Sequence, residues 1–132
     1  MPILDVKLGA RRSRETTRQV TTLLTELTVR ILRKSPQVIA IAVAYLDPDD
    51  WIVAGKSLTE HARASFYFDI KITDETNTKD EKAQFIREAF DGLAQILGPL
   101  HPESYIYVQD VRASSYGYGG HTQEWRYHHR PA

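Results

Sequence analysis

The sequence predicts an α+β (α/β) protein made of two tandem β-α-β units that share one four-stranded sheet carrying two helices on one face. Three observations predict it: an amphipathic stripe that recurs about 66 residues later, an alternating segment before each stripe, and an apolar run after it. Leu4-Asp5-Val6-Lys7 alternates apolar and polar residues and reads as a strand. Ser13 stands where an N-cap hydroxyl satisfies the first free amides of a helix, and Val20, Leu23, Leu24, Leu27 and Ile31 form one helical stripe. Val38-Ile39-Ala40-Ile41-Ala42-Val43 is short and apolar, as expected of a strand buried on both faces. Trp51 to Ser57 reads as a hairpin around Gly55, and Thr59 to Ala64 as a connector.

The second half repeats the order. Phe68-Asp69-Ile70-Lys71 is its strand and Thr78 its N-cap. Ile86, Ala89, Phe90, Leu93 and Leu97 form its helical stripe, and Tyr105-Ile106-Tyr107-Val108 its second strand. Tyr116 to Thr122 is its hairpin, since no helical pattern opens after the glycines as a dinucleotide fingerprint requires. The displacement drifts from 64 to 66, giving repeats 1–65 and 66–132 within one compact domain. Each β-α-β crossover is right-handed with parallel strands. With both helices on one side, the opposite sheet face is expected to be rich in Ile, Val, Leu and Phe and to drive self-association.

Composition narrows the function. The chain has 132 residues, 42% hydrophobic and 26% charged, with 17 Lys+Arg balancing 17 Asp+Glu. A formal charge of zero removes the phosphate attraction on which nucleic-acid binders depend. Cysteine is absent, which excludes disulfides, a thiolate nucleophile and Cys-held metals. No apolar run approaches a membrane span and no basic leader precedes one, so a cytoplasmic protein without membrane attachment is expected. His121, His128 and His129 lack a helical pair with carboxylate support, so no metal is expected. Asp47, Asp49 and Asp50 around Pro48 read as a turn.

The candidate chemistry begins at Pro2. Removal of Met1 would leave a secondary amine at the start of the first strand, a group that serves as base when apolar surroundings and nearby positive charge lower its pKa. Arg11 and Arg12 offer such charge, and their planar forks suit a carboxylate. Trp51 and Tyr116 are aromatic hairpin residues suited either to packing or to substrate contact.

An amino-terminal Pro-Ile, an arginine ten residues later, an amphipathic helix, an apolar strand and an aromatic–glycine hairpin together resemble the tautomerase superfamily, of the 4-oxalocrotonate tautomerase kind, in its fused two-repeat form. The resemblance implies Pro2 as the catalytic proline, Arg12 as the carboxylate-binding arginine with Arg11 beside it, and Trp51 as the aromatic of the pocket wall. It implies no cofactor, a homotrimer, and a small 2-oxo or enol carboxylic acid as partner. Pro2 would take the enol proton of a 2-hydroxy-alkenoate and return it to carbon, giving the 2-oxo acid. The family's second arginine falls at Ala40 in one half and Tyr105 in the other. The proline position of the second half is Phe66 or Tyr67 and its arginine position Asn77 or Thr78. These departures imply one Pro2 site per chain, with Tyr105 and Tyr116 as candidate substrate contacts, and favour a monoacid such as phenylenolpyruvate. The alternatives are hydratase–dehalogenase or malonate semialdehyde decarboxylase-like chemistry on the same scaffold, or an assembly without activity.

Overall fold

Alternation in the first strand sets the arrangement. In a computed structural model, which describes residues 2–130, Leu4, Val6 and Leu8 of β1 (Ile3–Gly9) are fully buried while Ile3, Asp5 and Lys7 face away. The chain then forms α1 (Arg14–Arg30), a 3-10 turn at Pro36–Val38, β2 (Ala40–Leu46), the hairpin β3 (Ile52–Val53) and β4 (Lys56–Ser57), and the short α2 (Leu58–His61). The second half follows the same plan with β5 (Ser65–Thr73), α3 (Lys79–Leu97), β6 (Tyr105–Val111), β7 (Gly117–Tyr118), β8 (His121–Thr122) and α4 (Gln123–His128). The sheet order is β2-β1-β5-β6, with β1 parallel to β2, β5 parallel to β6, and β1 antiparallel to β5.

Both helices lie on one sheet face and seal the core. Val20, Leu24 and Leu27 of α1 and Phe85, Ala89 and Leu93 of α3 are buried against Leu4, Val6, Leu8, Phe66, Phe68, Ile70 and Ile72. The two helices touch where Gly92 admits Leu23, since a Cβ there would lie 2.6 Å from Leu23 Cδ2. Both expected caps form: Ser13 Oγ accepts from Thr16 N (3.2 Å), and Thr78 makes a reciprocal capping box with Glu81.

The antiparallel pairing of β1 with β5 places Asp5 opposite Asp69, so a pseudo-two-fold axis passes between them and relates the halves. The displacement is therefore 64 at these strands and 65 from the caps onward, where Ser13 corresponds to Thr78 and Ala40, paired with Ile3, corresponds to Tyr105, paired with Tyr67. It does not reach 66. The buried residue equivalent to Val20 is Phe85, and Ile86 is 38% exposed because it stands one position around the helix. Phe66 is the equivalent of Pro2, and Asn77 that of Arg12.

Three expectations are corrected. The open sheet face is not an Ile/Val/Leu/Phe surface, because alternation sends those side chains to the helix side and leaves Asp5, Lys7, Asp69, Lys71, Tyr105 and Tyr107 on the other. Strand β2 starts at Ala40 and lies at the sheet edge, with Ala40, Ala42 and Ala44 exposed, so it is covered on one face only. A helix, α4, does follow the second hairpin, and the connector begins with the helical turn α2, whose N-cap Ser57 matches Thr122 of α4.

Two stability measurements check this account. Phe68→Ala, in the centre of the core, is expected to cost about 3–5 kcal/mol in denaturant unfolding, against about 1 kcal/mol for Thr78→Ala at the cap. The Glu81 carboxyl is held down to about 2, chiefly by the Thr78 amide and then by Arg33, against an ordinary 4.5. A carboxyl depressed in the folded state stabilises it above the unfolded value, so its contribution is complete above 4.5 and lost as the pH falls towards 2. Glu81→Gln should flatten the fall in unfolding midpoint across that window.

Candidate functional site

Pro2 is buried at the entrance to β1, and its carbonyl accepts from Ala40 N (3.1 Å), which ties the chain start to β2. It lies at the wall of a cavity of about 420 Å³ bounded by Val38, Ile39, Tyr116 and Tyr118, with Gln37 its polar side chain beside the two phenols. No charged side chain lines this cavity among the described residues. Its tyrosines come from the opposite repeat, on the β7–β8 hairpin. That turn is tight: a Cβ on Gly117 would fall 1.9 Å from the His121 carbonyl oxygen. Several bonds seat it. Gln123 N donates to Tyr116 O (2.9 Å), the Tyr116 hydroxyl bonds Thr73 Oγ1 (2.9 Å), and Arg126 Nη2 donates to Tyr118 O (2.8 Å). The Arg126 guanidinium also lies 3.7 Å from the Tyr118 ring centroid.

The pseudo-two-fold axis produces a second concavity of about 480 Å³ at the other repeat, where Trp51, Ile52 and Val53 of the first hairpin face Glu103 and Tyr105. Phe66 occupies the proline position there, with an ordinary mid-chain amide 3.4 Å from Ser104 Oγ, so this copy has no terminal amine. The sequence-predicted aromatics are thus divided: Tyr116 lies with Pro2, whereas Trp51 lies with Tyr105. Trp51 also packs on Gly9, where a Cβ would come within 2.8 Å of its ring. The Tyr105 hydroxyl donates to the Glu103 carboxylate, which raises the phenol pKa.

Arg11 and Arg12 lie past the far end of β1, about 20 Å from Pro2 at the rise of an extended strand. Both are exposed, and both line one groove of about 510 Å³ with Tyr45, Asp47, Asp49 and Thr59. Both can line it because the segment after Gly9 has left the sheet, where neighbouring side chains would point to opposite faces. Asp47 accepts from Asp49 N (2.9 Å), which makes the turn expected around Pro48. Within one chain, then, the structure joins Pro2 to Tyr116 and Arg11 to Arg12, but it does not bring Pro2 and Arg12 together.

Sequence reasoning missed Tyr118 and Arg126. The signal was the repeat itself, since antiparallel pairing of the inner strands carries each hairpin over the first residue of the other repeat. His121 and His129 both stack on Trp125, at 3.6 and 4.2 Å between ring centroids. Among the described residues no three His, Asp or Glu side chains cluster as a metal site would require, and no helix is long and apolar enough to cross a membrane.

Fold and site define a two-repeat β-α-β protein with a proline in an uncharged cavity. Residues 2–61 match the family model described as tautomerase enzyme. The whole chain is similar to a fused 4-OT that forms a symmetric trimer (15% identity, 92% of this chain and 96% of that one, TM-score 0.79). It is similar also to a fused 4-OT that forms an asymmetric trimer (21% identity, 93% and 97%, TM-score 0.76). A malonate semialdehyde decarboxylase inhibited by 3-bromopropiolate shares the fold (17% identity, 96% and 95%, TM-score 0.73). No curated protein sequence matches significantly. By sequence, then, the first repeat matches the tautomerase family model, and by fold the chain is of the fused two-repeat kind.

The seating of the hairpin gives a direct test. Gly117→Ala should force β7 from β8 and unseat Tyr116 and Tyr118, speeding hydrogen exchange at the Gln123 amide, while amides of the sheet centre such as Val6 keep their protection.

Proposed function

We propose that this protein is a cofactor-independent keto–enol tautomerase that uses the amino group of Pro2 as general base on small 2-hydroxy-alkenoic acids. The observation that carries the reading is the burial of Pro2 in a cavity lined by tyrosines, apolar side chains and Gln37 and, among the described residues, by no charged group. Removal of Met1 frees the amine, and burial away from water disfavours its protonated form. The base then takes the proton of the enol oxygen and returns it to carbon, leaving the 2-oxo acid. An arginine is needed to hold the carboxylate and to stabilise charge on the dienolate-like intermediate. Since Arg12 stands at the far end of β1, a neighbouring copy supplies it, which fits a closed homotrimer like those of the fused 4-OT relatives. The tyrosine walls and the lack of an arginine at Ala40 and Tyr105 favour a monoacid with an aromatic tail.

Malonate semialdehyde decarboxylase-like chemistry is the second reading, favoured by the likeness to that enzyme over 96% of this chain. It calls for a carboxylate that activates water beside the proline, and Asp47 lines the same groove as Arg12, so a neighbouring copy that supplies the arginine would bring this carboxylate with it.

Intact mass is expected to show the chain without Met1, and sedimentation a trimer at micromolar concentration. With phenylenolpyruvate, Arg12→Ala should lower kcat/KM by about a hundredfold, on the order of 3 kcal/mol, and Arg11→Ala by far less. Decarboxylation of malonate semialdehyde without enol turnover would favour the second reading, and full activity in a chain retaining Met1 would remove Pro2 from the mechanism.

A further inference from the structure

The pseudo-two-fold axis sets Thr76 and Ala113 of the second repeat where the first has Arg11 and Pro48, and these two line a cleft built mostly from the last residues of the described chain. In the first, Arg11 and Arg12 share their groove with Asp47 and Asp49. In the second, Thr76 takes the place of Arg11, and the positive charge comes instead from the end of the chain, where Arg126 and Arg130 border a cleft of about 510 Å³. No carboxylate lines this cleft among the described residues, and no ion pair among them involves either arginine. Arg126 uses Nη2 on the Tyr118 carbonyl, while its Nε is buried without a partner. The guanidinium's other terminal nitrogen makes no hydrogen bond among the described residues, and a carboxylate is the acceptor that best fits such a planar group. Aromatic rings complete the walls: Tyr127 is 63% exposed with the Arg130 guanidinium 4.8 Å from its ring centroid, and Trp125, on which His121 and His129 stack, is still 40% exposed, so the cleft pairs cations with aromatic side chains that water reaches.

We infer that this cleft is a second binding site, distinct from the Pro2 cavity, for a small aromatic carboxylate. Arg126 and Arg130 hold the carboxylate, and Trp125 and Tyr127 hold the ring. The volume suits a ligand of one ring and a short side chain. Tyr118 lines both this cleft and the Pro2 cavity, so a ligand here sits one ring away from the proposed catalytic centre. The inference does not need Pro2 to be a base.

Binding of 3-phenylpropionate tests it, read by quenching of Trp125 in a Trp51→Phe background and by calorimetry. Acetate and 3-phenylpropanamide serve as the probes that lack the ring and the charge. The expected result is saturable binding of 3-phenylpropionate, with both comparison probes at least about tenfold weaker. All are measured in an Arg11→Gln/Arg12→Gln background, which removes the arginines proposed to clamp a carboxylate at the Pro2 cavity, and there Arg126→Gln and Arg130→Gln should each weaken binding by about tenfold or more. Arg130 is exposed, so its variant keeps the test valid even if Arg126→Gln disturbs the hairpin. Equal binding of the amide, affinity unchanged in Arg130→Gln, or no binding at all in that background would each overturn the assignment, whatever the outcome for tautomerase activity.

Discussion

The antiparallel pairing of β1 with β5 is the constraint on which the rest of the molecule depends. Two β-α-β units could be joined in many ways, but pairing their first strands antiparallel, with Asp5 opposite Asp69, fixes a two-fold relation between them. The buried partners Leu4–Ile70, Val6–Phe68 and Leu8–Phe66 hold this register, because a slip of one residue would turn every one of those side chains to the open face. On that open face the same register sets two like charges directly across from each other, which opposes pairing, and the Lys71 ammonium offsets this at 2.7 Å from Asp69. From the two-fold relation it follows that each hairpin covers the other repeat, and that Pro2 meets Tyr116 and Tyr118 and not Trp51.

Duplication leaves two copies of each feature, and the copies have diverged chemically. The proline cavity keeps an imino acid at one end of the molecule, while the equivalent position in the second repeat is Phe66, with an ordinary amide and its ring in the core. The ends of the two repeats differ as well: Arg11 and Arg12 share a groove with Asp47 and Asp49, whereas Arg126 and Arg130 border a cleft that no carboxylate lines among the described residues. Arg126 links two of these places. It stacks on Tyr118, bonds its carbonyl, and so holds the wall of the Pro2 cavity from behind. Asn77, at the position of Arg12, turns instead toward the protein and donates to the Leu32 carbonyl at 3.0 Å, which leaves that position with no charge to offer a substrate.

Much of this was legible in the sequence because it is periodic. Caps at Ser13 and Thr78, the helical stripe of α1, the alternation of β1 and β5 and both hairpins depend on local spacing, which a single chain displays. The errors arose where spacing had to be combined with direction. Placing Ile86 in the core assumed an offset one residue too long, since burial of Phe85 follows from the loop before α3, where Glu75 adopts a positive φ of 62°. The expected apolar open face counted Ile, Val, Leu and Phe without assigning them by parity. Which hairpin meets Pro2 within one chain was not readable from the first repeat alone, because the one that reaches it is 114 residues away in the chain, at Tyr116. The short α4 carries Trp125 and Arg126 in only six residues, too few for a periodic pattern to announce it.

The central claim is that the surroundings of Pro2 make its amine a base, and a titration of that nitrogen tests it most directly. With the Pro2 nitrogen isotopically labelled in protein lacking Met1, its resonance can be followed against pH beside a peptide of the same first residues, Pro-Ile-Leu-Asp. The account predicts a midpoint clearly below that of the peptide, because the cavity removes water from the cation and lines it with no carboxylate. A midpoint equal to or above that of the peptide would contradict it, since the proline would then remain protonated at neutral pH.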